Sequence, residues 1–294
     1  MPHDLHHVDA ASQTDGLTLT TYAWNEVSEP KAVVQLSHGL AEHAGRYDRL
    51  ATALNGAGYL VFAHDHPGHG ATGEAAGSLG SFGAAGWAGL VADVATVGPW
   101  IAEQHPDLPR FLIGHSMGSF ALQQVIVDHS ELWSGVVLSG TTALDLLLQG
   151  MAAAGGDASG DLSAFNAGFE HRTGYEWLSR DEVEVDLYVA DPWCGFEASP
   201  EVMPQMFGSA SQLADGAVLA GIRKDLPILV VSGDADPLAG GGALVEAVGQ
   251  RYRDAGITDV TVRLFPEARH EIFNETNRDE ITALVINWLD AHPS

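Results

Sequence analysis

The sequence predicts an α/β fold: a mostly parallel, doubly wound sheet with a helical lid inserted between two core strands. Three observations predict it. Short β-branched or aromatic runs alternate with helical stretches along the 294 residues. A Gly-x-Ser-x-Gly motif sits where one such run gives way to a helix. One long stretch, 141–222, contains no clear strand and is too long for a plain connection.

The elements follow in order. Leu17–Trp24 alternates Thr with apolar residues, as an early antiparallel strand would. Ala32–Ser37, Tyr59–His64, Arg110–Ile113, Gly135–Ser139, Pro227–Ser232 and Val260–Phe265 are mostly apolar on both faces, which suits parallel strands covered by helices on either side. The helices between them are expected at Tyr47–Ala57, Trp87–Gln104, Met117–His129, Gly242–Ala255 and Glu275–Ala291. Right-handed crossovers bring the strand C-terminal ends to one edge, where sites of this class sit. The domain reading is a core of 1–140 and 223–294 with a lid of 141–222, whose Gly and Ala around 150–160 suggest mobility.

The chemistry-bearing segment is Phe111-Leu-Ile-Gly-His-Ser-Met-Gly-Ser119. A serine on a sharp strand-to-helix turn is lifted above the sheet edge, and the helix N-terminus favours developing negative charge there. A serine alcohol needs a base to take its proton. The base is expected in a loop after the last strand and the acid one strand earlier. His270 follows Val260–Phe265, and Asp234 and Asp236 follow Ile228–Gly233. In this arrangement His270 deprotonates Ser116 while a carboxylate fixes the imidazole tautomer. Pro237 rigidifies the turn beside Asp236 and favours that residue; Asp234 then reads as a turn carboxylate capping N–H groups. The tetrahedral oxyanion needs two preset donors. They are expected to be the N–H groups of Met117 and of Leu40, the latter in the loop Ser37-His-Gly-Leu40.

Two histidine-rich segments invite a metal reading. His64-Asp-His-Pro-Gly-His-Gly70 is read instead as a rigid turn whose histidines bond to backbone. His3, His6 and His7 are read as a loose polar terminus. The expected metal and cofactor content is none. Thirteen basic against 39 acidic residues give a net charge of −26, so nucleic acid and anionic membranes are poor partners. Only Lys31 and Lys224 are lysines, a balance that would suit a salt-tolerant cytosol. The one cysteine, Cys194, excludes an intrachain disulfide and fits a reducing compartment. Met1–His7 lacks the pattern of a signal peptide, and no stretch is apolar for long enough to span a bilayer. The expected location is cytoplasmic.

The segments His38–Tyr47, Asp65–Gly70, Gly114–Gly118, Asp191–Gly195 and Gly233–Pro237, together with His270, resemble the monoacylglycerol lipase and lysophospholipase branch of the α/β-hydrolases. They occur in the right order over nearly the whole chain. The resemblance implies the α/β-hydrolase fold, Asp236 as the acid, Leu40 and Met117 as oxyanion donors, and no cofactor. It further implies that Arg46 and His115 lie near the polar end of the substrate and that the lid supplies an acyl pocket. Leu144, Leu147, Leu148 and Met151 either line that channel or pack the lid on the core. Residues 157–201 hold eleven Asp or Glu and two Arg, an acidic lid surface. The expected activity is hydrolysis of a small or lipidic ester such as a monoacylglycerol, with at most transient membrane contact through the lid. The alternative is a general carboxylesterase for short or aromatic esters; a slow-turnover receptor and an acyltransferase are more distant. A peptidase lacks a Gly-Gly-Pro-Gly run here, and Ser116 argues against chemistry that uses an aspartate nucleophile.

Overall fold

The computed structural model describes residues 4–9, 16–153 and 162–293. His3, Asp157 and Asp161, and most of the Gly/Ala stretch expected to be mobile, lie outside the described residues.

The order is β1 (Asp4–Asp9), β2 (Thr18–Trp24), β3 (Ala32–Ser37), α1 (Asp48–Gly56), β4 (Tyr59–His64), α2 (Gly70–Ala76), α3 (Gly86–Gln104), β5 (Arg110–His115), α4 (Met117–His129) and β6 (Gly135–Ser139). Then follow α5 (Leu144–Ala153), α6 (Glu182–Ala190), α7 (Val202–Gly208), α8 (Ala210–Leu213), α9 (Gly216–Leu219), β7 (Ile228–Gly233), α10 (Ala243–Asp254), β8 (Val260–Phe265) and α11 (Arg278–Ala291). The strands form one sheet in the order β1-β2-β4-β3-β5-β6-β7-β8. β1 and β2 run antiparallel, and every pairing from β4–β3 to β7–β8 is parallel.

Strand alternation divides the core. Val34, Leu36, Phe111, Ile113, Val137, Leu229 and Val231 face α1 and α11. Leu112, Val136, Leu138, Ile228 and Val230 face the opposite way, toward α3, α4 and α10. Each such fully buried side chain contributes about 1.5–3 kcal/mol of hydrophobic stabilisation. Pro99 withholds one N–H bond inside α3, yet the helix continues because Val94, Val97 and Ile101 are wholly buried along it.

The register matters for the site. Ser37 lies opposite Gly114, His115 opposite Ser139, Ser139 opposite Val231, and Gly233 opposite Phe265. The loops leaving β3, β5, β6, β7 and β8 therefore emerge along one edge.

Two expectations are corrected. The terminus read as loose is strand β1, paired with β2 from Asp4–Ala23 to Asp9–Thr18. Val8 is buried and the His6 ring meets Trp100 at 5.5 Å, so partners distant in sequence order it. The last helix starts at Arg278, not Glu275, because the fully buried Glu275 accepts backbone N–H bonds from Arg180, Arg269 and Thr276. Between β6 and β7 the described residues contain helices α5–α9 and no strand.

Candidate active site

Ser116 occupies the turn between β5 and α4 with φ 51° and ψ −121°. A non-glycine residue there costs about 1–3 kcal/mol, so neighbours must hold it. They do so on both sides. The Ser116 N–H donates to the Ser139 carbonyl at 2.9 Å, and the Ser116 carbonyl accepts from the Phe120 N–H at 3.1 Å and the Ser119 hydroxyl at 2.6 Å. Gly118 permits the close approach of α4 to β3, since a Cβ there would lie 2.2 Å from the Ser37 carbonyl oxygen. Met117 opens α4, which leaves its N–H without an acceptor inside the helix.

His270 and Asp236 form a buried pair. The His270 Nδ1–H donates to Asp236 Oδ2 at 2.8 Å. Asp236 is itself held by the Leu238 N–H at 2.8 Å and the Ser232 hydroxyl at 3.2 Å. This leaves His270 Nε2 free to act as an acceptor, and His270 and Ser116 line the same cavity. Burial is the largest influence on His270 and disfavours its charged form. The charge and hydrogen bond of Asp236, then Glu271 and Glu42, outweigh it and raise the pKa above the ordinary 6.5. Asp234 is exposed and accepts from the Glu267 N–H at 2.7 Å, closing the turn between the β7 and β8 loops. The structure therefore brings Asp236, not Asp234, to the imidazole.

Leu40 lies in the loop after β3 and lines the cavity that holds Ser116. Its neighbours are fixed. The Gly39 N–H donates to Glu42 Oε1 at 2.5 Å, and Ala41 is left-handed with φ 54°. Glu42 also accepts from the Tyr47 hydroxyl at 2.8 Å and from Arg46 at 2.7 Å.

Arg46 and His115 meet at a second, polar recess lined also by Glu271 and Asn274. The Arg46 guanidinium binds both oxygens of Glu271, at 2.6 and 2.8 Å, as well as Glu42. Burial disfavours the Glu271 carboxylate, but Arg46 beside it wins and holds its pKa down to about 2. Arg46 thus faces the recess with its charge already matched. His115 is 4% exposed, its ring 4.7 Å from that of His270. Burial first, then the neighbouring His270, depress its pKa to about 3, so it stays neutral.

The cavity over Ser116 opens to solvent, and its walls beyond the polar groups are apolar, among them Phe120, Leu147, Phe165, Trp177, Met206 and Leu238. Leu147 thus lines the cavity. Leu144 is buried in the core, and Leu148 and Met151 pack against it.

The histidine-rich turn bonds to backbone only in part: His66 Nε2 meets the Ser37 hydroxyl at 3.0 Å, and both ring nitrogens of His64 are buried without a hydrogen-bond partner. His38 Nδ1 donates to the Gly39 carbonyl at 2.8 Å while its Nε2 accepts from the His66 N–H at 3.0 Å. His69 donates to the Pro67 carbonyl at 2.9 Å. Burial lowers the pKa of His38, His64, His66 and His69, to about 4 for His64 and His69. Among the described residues, one group has metal-ligating atoms within 4.8 Å of one another: His43, Asp191 and Cys194. There His43 Nε2 is already hydrogen-bonded to Asp191 at 2.9 Å, and burial raises the Cys194 thiol away from thiolate. It reads as a polar clasp.

Sequence reasoning missed several residues here. Trp177 sets its ring 4.8 Å from that of His270. Glu42 stood inside the segment His38–Tyr47 without a role of its own, Glu271 was visible only as the neighbour of His270, and Tyr188 carried no local signal.

A parallel sheet with an elbow serine, and a histidine–aspartate pair on the same cavity, define an α/β-hydrolase. Comparison with known proteins extends this. The serine aminopeptidase S33 family profile matches residues 28–277. The chain is 30% identical over 286 residues to the monoacylglycerol lipase of Mycolicibacterium smegmatis, covering 94% of each. It is 31% identical over 291 residues to the monoglyceride lipase of Mus musculus, covering 93% of this chain and 89% of that one. Among solved structures, a thermostable carboxyl esterase from Bacillus coagulans in complex with glycerol superposes with a TM-score of 0.85 at 28% identity, covering all of both chains. The chain belongs to the serine aminopeptidase S33 family of α/β-hydrolases. No described helix is long and apolar enough to cross a membrane.

Proposed function

We propose that the protein hydrolyses monoacylglycerols or closely similar carboxylic esters through an acyl-enzyme on Ser116. The observation that carries this reading is the His270–Asp236 pair at 2.8 Å on the apolar cavity that also holds the elbow serine. Ser116 Oγ attacks the ester carbonyl, and His270 Nε2 takes its proton. Asp236 keeps the other ring nitrogen protonated and stabilises the imidazolium. The N–H groups of Leu40 and Met117 receive the oxyanion. The imidazolium protonates the departing alcohol, and water activated by His270 then releases the acid.

The apolar walls receive the acyl chain, and the recess around Arg46 and His115 receives the alcohol. Residues 141–222 act as a lid on the core formed by 1–140 and 223–294. Contact with a membrane or ester aggregate is transient and runs through α6, which turns Val183, Leu187 and Val189 to solvent. We assign the enzyme to the cytoplasm, a reading supported by its one cysteine.

The test is a rate series over monoacylglycerols and p-nitrophenyl esters of increasing chain length, with Ser116→Ala as control. Monoacylglycerol turnover that vanishes in Ser116→Ala supports the proposal. Unchanged turnover in that variant ends it. A preference for short or aromatic esters alone transfers the assignment to a general carboxylesterase, which the likeness to the Bacillus coagulans esterase also favours.

A further inference from the structure

The stretch 177–195 holds both loops that the chemistry requires. At one end, the Trp177 carbonyl accepts from the His270 N–H at 3.3 Å, and the Leu178 carbonyl accepts from the Glu271 N–H at 2.7 Å. At the other end, the Ala41 carbonyl accepts twice: from the Tyr188 hydroxyl at 2.9 Å and from the Gly195 N–H at 2.9 Å. His43–Asp191 and Arg49–Glu184 tie the same stretch to the segment after β3.

Leu40 sits between two pinned peptides. Before it, the Gly39 N–H is fixed by Glu42. After it, Ala41 is held in a left-handed conformation that an alanine adopts only at a cost. The Gly39–Glu42 bond spans this residue from within the loop, and the two hydrogen bonds to the Ala41 carbonyl hold it from outside. Tyr188 is well placed to hold that carbonyl. It is 2% exposed, and its ring lies 4.8 Å from the Arg46 guanidinium and 5.0 Å from the ring of Tyr175.

We propose that Tyr188 is a positioning residue for the oxyanion site, its hydroxyl holding the Ala41 carbonyl and thereby aiming the Leu40 N–H at the reacting carbonyl. The inference rests on the serine-hydrolase reading above. Its corollary is that 177–195 is a fixed brace. A lid movement that withdrew it would release the Leu40 peptide and the His270 loop together, so any opening must occur outside this stretch.

The test is Tyr188→Phe, which keeps the ring and removes one hydrogen bond; the Gly195 N–H still holds the Ala41 carbonyl. Three quantities are measured on wild type and variant: kcat and KM for a p-nitrophenyl ester, the Ki of a trifluoromethyl ketone that forms a tetrahedral adduct, and the Ki of an ether analogue of the ester. Loss of an oxyanion donor costs about 10²–10³ in kcat, and a donor displaced but still present is expected to cost about tenfold. The expected result is that tenfold fall in kcat with KM unchanged, an equal weakening of the ketone, and unchanged affinity for the ether. Unchanged kcat and ketone affinity overturn the proposal. So does an equal weakening of ketone and ether, which marks a reshaped pocket. A wild-type protein that neither turns over ester nor binds the ketone overturns the serine-hydrolase reading itself, and this inference with it.

Discussion

Replacing Arg46 with methionine isolates the buried charges beside the base. The side chain keeps its bulk, but Glu42 and Glu271, 3% and 6% exposed, lose their shared counter-charge. Removing one partner of a buried ion pair costs about 3–5 kcal/mol. Two carboxylates are stranded here, so the upper part of that range applies. At about 2–4 °C per kcal/mol for a domain approaching this size, the melting temperature should fall by roughly 10–15 °C. The pH dependence supplies an internal check. In the wild type, Arg46 outweighs burial and holds Glu271 near 2, so its contribution is fully present above its ordinary 4.5 and is lost only as pH falls toward 2. Without Arg46, burial dominates and raises Glu271 above 4.5, so acid relieves the strain by protonating it. The gap between wild type and Arg46→Met, followed by thermal unfolding, should therefore be wide at pH 8 and narrower at pH 5.5. Adding Glu42→Gln and Glu271→Gln to Arg46→Met should recover most of the loss. A single variant that melts within about 3 °C of wild type at both pH values would refute the reasoning, since that is about 1 kcal/mol.

Other outcomes follow from the same geometry. His38, His64, His66 and His69 are neutral when folded, so the stability they contribute should be full above pH 6.5 and decline as pH falls toward 4; His64 alone, moved from 6.5 to about 4, accounts for roughly 3 kcal/mol. A melting temperature that stays flat from pH 7 to pH 4.5 contradicts this. Asp236→Asn should lower kcat by about 10⁴, as loss of the tautomer-fixing carboxylate does in such triads, while Asp234→Asn stays within about twofold; equal effects would remove the distinction between the two aspartates. Gly140→Ala should cost about 10² in kcat, because a Cβ at this left-handed position lies 2.8 Å from His115 and 3.2 Å from the His270 ring. Steady-state kinetics on a soluble ester checks all three substitutions, and undiminished turnover in Gly140→Ala would show that the imidazole has room to shift without losing its aim.

Much of this was legible in the sequence because it depends on short-range pattern. The parallel strands, apolar on both faces, could be read almost to the residue, and the elbow followed from Gly114, Ser116 and Gly118 standing between a strand and a helix. Asp236 and His270 were legible as residues after particular strands. What stayed hidden depends on contacts across the chain. β1 is polar and held by its pairing with β2, so its sequence resembles a loose end. Glu275 looks helical until the N–H groups of Arg180 and Arg269 are seen to converge on it. Tyr188 lies 147 positions from the carbonyl it binds, a separation that no local pattern can encode.

Ala41 and Ser116 share a property with a cost. Both are non-glycine residues with positive φ; Ser116 lines the cleft where an ester carbonyl would sit, and Ala41 is buried behind it between Leu40 and Glu42, which line it too. Each stores about 1–3 kcal/mol of backbone strain. A chain selected for thermal endurance alone would place glycine at both positions. Retaining alanine and serine there lowers the ceiling on endurance in exchange for a stiff, correctly aimed cleft. Attempts to make this protein more heat-resistant should therefore leave those two positions alone and work in the outer helices, where stability and turnover are not in competition.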